Sequence, residues 1–91
     1  MFLKRIQVGF VMELLELPKD IILQLPLLYF QGNCSLCIEN HKGIYLMNDH
    51  EIQIATHSNP ILIHGKELTI SSYTMDEIQI SGLIEEVCFV P

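Results

Sequence analysis

The stretch "LLYFQGNCSLCIEN" (residues 27–40) sets two short apolar alternations on either side of a Gly-Asn pair. Leu28, Phe30, Leu36 and Ile38 share one parity, the period-two pattern of strands with one buried face. Gly32 and Asn33 tolerate the positive φ that a tight hairpin demands. The stretch therefore predicts a β-hairpin, and the same pattern continues to the C-terminus. Ile44 and Leu46, Ile52 and Ile54, Ile61 and Ile63, Leu68 and Ile70, Ile78 and Ile80, and Val87 and Phe89 repeat the alternation. Residues 40–43, Asn48-Asp49, residues 58–60, Gly65-Lys66 and Gly82 stand between them as expected turns. Turn markers at 32, 48, 65 and 82 form a weak repeat of about 16 to 17 residues. Gaps this short favour hairpins over parallel crossovers. The expected fold is mainly β with an N-terminal helical segment. Its β part is an antiparallel β-meander forming a small sandwich or rolled sheet, with a short β-solenoid as the alternative.

Before Pro26 the period changes. Leu3, Ile6, Phe10, Leu14 and Leu17 recur every three or four residues, as one helix face requires, and Val8, Val11, Met12 and Leu15 widen that face. A helix apolar over most of its circumference is buried on two sides, meets a partner or lies in a membrane interface. Phe2, Ile6 and Phe10 are its expected partner contacts. Pro18 opens a second short helix, "PKDIILQLP", with Asp20 near its positive end, and Pro26 closes it. The expected organisation is a helical lead-in over 1–26 and a β domain over 27–91, one compact domain overall.

Composition narrows the function. The 91 residues suffice for one domain with a modest core. Apolar residues make up 49% and charged residues only 18%, which excludes disorder and leaves apolar surface for a partner. Residues 1–26 balance their charges, whereas 27–91 set Lys42 and Lys66 against eight carboxylates. Such a surface repels phosphate, so nucleic acid is not an expected partner. Three cysteines without scaffold spacing point to reduced thiols in the cytosol. The uncharged run from Ile6 to Met12 is too short for a secretory signal, and no stretch approaches the roughly 20 apolar residues of a membrane span. A soluble chain, at most lying on a surface, is expected.

"CSLCIENH" (residues 34–41) raises the question of zinc, because two thiols and an imidazole lie close in sequence. On one strand, Cys34 would point inward with Leu36 and Ile38, and Cys37 outward with Ser35 and Glu39. Diverging sulfurs cannot share an ion. His41 falls in a turn, His50 beside another, and His57 and His64 on the polar parity of strands. No metal and no cofactor is expected. Glu85-Glu86 and Asp76-Glu77 are neighbours that point apart, unsuited to paired acid–base work. No phosphate-cradling loop opens a helix. The chain is expected not to be an enzyme, and a small metal- or ligand-binding β module using Cys34, Cys37 and His41 is the alternative.

Two segments carry a resemblance. "LELPKDIILQLPLLYFQGN" (residues 15–33) and "LCIENHKGI" (residues 36–44) are similar to the YabP/YqfC family of bacterial sporulation proteins, closest to its YqfC-like branch. The matching positions are Leu17-Pro18, Asp20, Leu25-Pro26, Gly32-Asn33 and Glu39-Asn40-His41-Lys42-Gly43, with "HGKELTI" and "EIQISGLIEEVCF" further on. Gln24 stands where a charged residue is common, and the two cysteines belong to no family pattern. The resemblance implies a non-enzymatic role in endospore formation, in the mother-cell cytoplasm, peripheral at the forespore membrane. It also implies a protein partner, a membrane protein of the same process; a homo-oligomer is compatible. The motif residues would be turn and cap positions: Pro18, Asp20 and Pro26 in the lead-in, and Gly32, Asn33, Glu39, Asn40, Gly43, Gly65 and Gly82 in the hairpins.

Overall fold

The computed structural model describes residues 24–91. The expected helices of 1–26, with Pro18, Asp20, Phe2, Ile6 and Phe10, lie outside the described residues except for the last three positions. Six strands follow: β1 (Leu27–Gln31), β2 (Ser35–Glu39), β3 (Ile44–Met47), β4 (Glu51–Ile54), β5 (Ile61–Tyr73) and β6 (Glu77–Phe89). All pairings are antiparallel, in one sheet of order β1-β2-β6-β5-β4-β3. The solenoid alternative is thereby excluded. The chain is also not a simple meander. β3 to β6 run as one, while the β1–β2 hairpin docks on the far side of β6, so the link from β2 to β3 must cross the molecule. The sheet is open, with β1 and β3 as its edges.

The core follows the alternation. Leu36, Ile38, Ile52, Ile54, Ile61, Ile63, Leu68, Ile78, Ile80 and Val87 are fully buried in one cluster, with Leu28, Ile44, Ile70 and Phe89 packed against it. Most are isoleucine, whose branched Cβ suits a pleated face. Phe30, read as inward by parity, is exposed on the edge strand β1; Leu46, read likewise, is turned off the core face by the register shift between Ile44 and Leu46, which sets it opposite Gln53.

Two glycines read as turns are not turns. Gly65 lies within β5 and Gly82 within β6, where the long hairpin carries register shifts. Between Lys66 and Thr69 one extra residue enters β5, and Glu67 there takes a φ of 53°. Burial passes from Ile61 and Ile63 to Leu68, a change of parity, which is what a bulge produces. A Cβ on Gly65 would overlap the Leu83 carbonyl, and one on Gly82 would stand 2.5 Å from that of Glu67. The true turn between the long strands is at 74–76, where the Thr74 hydroxyl accepts from the amides of Asp76 and Glu77.

At these bulges the hairpin doubles back. In a straight strand, Ile61 and Tyr73 would be roughly 40 Å apart. Yet His41 bonds the backbone at Thr74, while the next residue, Lys42, donates to the Ala55 carbonyl at 2.7 Å. Ala55 adjoins Ile54, which pairs with Ile61. Two consecutive residues thus touch opposite ends of β5, so the sheet bends and its halves share the core.

Candidate functional site

The motif Glu39-Asn40-His41-Lys42-Gly43 is the strap that crosses from β2 to β3, and its residues explain how. Asn40 has a φ of 64°, a conformation Asn tolerates better than most side chains. Its amide donates to the Asp76 carbonyl at 2.8 Å, and its Nδ2 donates to the Leu25 carbonyl at 2.9 Å. That second bond anchors the chain just before Pro26 and β1. Gly43, at φ 110°, ends the strap beside the Tyr73 hydroxyl and accepts the Ala55 amide at 2.8 Å.

His41 fills the space between. It is 4% exposed, the one buried polar side chain among the described residues. The Gly43 amide donates to Nδ1 at 2.9 Å, so the ring proton sits on Nε2 and is donated to the Thr74 carbonyl at 2.7 Å. Its ring tilts against that of Tyr73, centroids 5.2 Å apart. Both nitrogens are engaged, leaving none for a metal or for proton transfer.

Beside the strap lies an open recess of about 170 Å³, bordered by Asn40, His41, Lys42, His57, Met75 and Asp76. His57 is in the β4–β5 turn rather than on a strand, and Thr56 caps that turn through its hydroxyl. One cation and one anion, Lys42 and Asp76, border the recess.

The cysteines are arranged differently from the parity reading. The β1–β2 loop takes three residues, Gly32, Asn33 and Cys34, so Cys34 is not in a strand and is exposed. Its thiol donates to the Gln31 carbonyl at 3.4 Å. Cys37 does share its face with Ser35 and Glu39, where it is half-buried. Burial pushes the Cys37 thiol up, and a hydrogen bond and negative charge from Glu77, then the charge of Glu39, push it further. Among the described residues, no three His, Cys, Asp or Glu side chains are placed to hold a metal ion.

The remaining acidic groups sit on the outer face. His64 stands between Glu86, 3.0 Å from Nδ1, and Glu51, 3.6 Å from Nε2, on neighbouring strands. The two carboxylates flank opposite sides of the ring and do not converge. Glu85 reaches Lys66 at 3.9 Å. Thr74, Ala55 and Leu25 contribute through backbone carbonyls, which no side-chain pattern in the sequence marks. Only the Thr74-x-Asp76-Glu77 cluster carried a turn signal.

This β unit, with its bent hairpin and strap, spans the segment recognised by the YabP family model, residues 26–91. The chain belongs to the YabP family. It is 32% identical over 76 residues to a Bacillus subtilis (strain 168) protein named "Uncharacterized protein YqfC", covering 84% of this chain and 82% of that one. No solved structure matches it. Among the described residues, no helix is long and apolar enough to cross a membrane.

Two outcomes follow from the site. His41→Ala leaves a cavity and strips a partner from both Gly43 N–H and Thr74 C=O, a loss of about 2–4 kcal/mol in urea unfolding. A loss below about 1 kcal/mol would contradict the strap's role. A raised pKa keeps Cys37 as the unreactive thiol through neutral pH. Alkylation at pH 7.5, mapped by mass spectrometry, is therefore expected at Cys34 first and at Cys37 several-fold more slowly. Glu77→Gln should speed Cys37.

Proposed function

We propose that the chain is a non-enzymatic assembly module of endospore formation. It works in the mother-cell cytoplasm, at the surface of the developing spore, by holding a protein partner. Membership of the YabP family supports the process, through what that family's resemblance implies. The observation that supports a non-catalytic role is the engagement of the family-like residues in the fold. Asn40, His41 and Gly43 bond the backbone of other segments, and Gly65 and Gly82 admit close backbone contact. Meanwhile Tyr45, Met47 and Met75 present apolar surface to water, where a partner could cover it. The partner contact is the N-terminal segment with Phe2, Ile6 and Phe10, and the partner is a membrane protein at the forespore.

The test is genetic and microscopic. In an endospore-forming host whose own copy is replaced by this one, a fluorescent fusion is expected to gather at the forespore and to support heat-resistant spores. Removing residues 1–12 should disperse the fusion and cut spore yield, while circular dichroism of the purified chain still reports a β fold. Unchanged localisation after that removal would discard the N-terminal contact. Normal spore yield without any copy would discard the process.

A further inference from the structure

The two edges of the sheet are unequal. β3 has four residues and a register shift between Ile44 and Leu46, the kind of irregularity that blunts an edge. β1, LLYFQ, has five residues in unbroken register with β2 from Leu27↔Glu39 to Gln31↔Ser35. It holds no charge, no proline and no bulge. Indeed no charged residue occurs anywhere in 21–38, in a chain of net charge −6. Leu27, Tyr29 and Phe30 are 46%, 53% and 46% exposed, so both faces of the strand present apolar side chains to water.

The backbone sets which groups face outward. The Cys34 amide donates to the Gln31 carbonyl, so Gln31 turns its polar groups into the hairpin. Alternation then turns those of Leu27 and Tyr29 toward β2 as well, and those of Leu28 and Phe30 away from it. Among the described residues nothing pairs with that outer row. We propose that β1 is the two-fold interface of a homodimer, paired antiparallel with β1 of a second copy about Tyr29. In that register Leu28 faces Phe30 of the second copy and exchanges both backbone hydrogen bonds with it. The symmetric pair does the same, and Tyr29 stands opposite its own copy in a non-hydrogen-bonded position.

A second copy fits better than a different partner for a reason of charge. Eight carboxylates against two lysines in 27–91 make most surfaces of two copies repel, and the uncharged strand β1 is where that repulsion is least. Paired about its centre, LLYFQ sets Leu28 against Phe30 on one face and Leu27 against Gln31 on the other, with no like charges opposed. Because the second edge is blunted, pairing closes at two copies and does not propagate.

The full-length chain tests this by light scattering across a concentration series. The expected species has twice the 10.4 kDa chain mass. Tyr29→Lys places two like charges opposite each other and should return the mass to that of one chain, with an unchanged circular dichroism spectrum. Should that variant unfold, a crosslink decides instead. In a Cys34→Ser background, Tyr29→Cys brings two Cα atoms to about 4.5 Å, within disulfide reach. It should give a covalent dimer on mild oxidation, while Tyr45→Cys on the other edge should not. A monomer at every concentration would overturn the proposal and leave β1 to residues 1–23 or to another protein. So would a dimer that survives Tyr29→Lys, or crosslinking at 45 in place of 29.

Discussion

Two backbones meet where neither can carry a side chain, and the rest of the molecule depends on that meeting. Gly65 lies against the Leu83 carbonyl and Gly82 against that of Glu67. A methyl group at either place would force the strands apart, because backbone atoms, unlike the end of a flexible side chain, have nowhere to go. At Gly32, by contrast, a Cβ would meet nothing. Its demand is only for φ, 58°. The close approach lets β5 and β6 double back without breaking their pairing, so that the six antiparallel strands enclose a core that a flat sheet would leave open to water.

A bent sheet still has to be held shut. The strap does this with backbone bonds at both ends and a buried imidazole between them. Lys42 and Gly43 fasten to Ala55, Asn40 and His41 to Asp76 and Thr74, and Asn40 reaches on to Leu25. Among the described residues no buried side-chain donor or acceptor is left unmatched, as burial requires. The histidine in this family-like motif therefore acts as a shaped, doubly bonded plug. That use accounts for a His between Asn and a basic residue without calling on catalysis.

The sequence was legible where side-chain period alone decides the outcome. Strand content, the β1–β2 hairpin, the turn at Asn48 and nearly every core position follow from alternation. The change of parity between Ile63 and Leu68 was visible too, but parity plus a glycine describes a turn and a bulge equally well. Local sequence cannot choose between them, because the choice depends on which strand lies across the sheet. The same limit misplaced Cys34: a three-residue loop, in place of two, moves the start of β2 to Ser35 and removes the cysteine from the alternation. Residues 40–43 look like a plain turn in the sequence for a similar reason, since the strap's partners are carbonyls of distant residues whose side chains give no sign of them.

The exposed apolar edge and the acidic remainder belong to one economy of surface: charge keeps most faces apart and leaves one strand open to association. All of it presupposes the folded-over hairpin. Nuclear Overhauser contacts in the full-length chain test that most directly. The account predicts cross-peaks from the His41 ring to Tyr73 together with cross-peaks from the Lys42 and Gly43 amides to Ala55, since one strap touches both ends of β5. Contacts to Tyr73 without those to Ala55, or the reverse, would mean a straight hairpin and would contradict it.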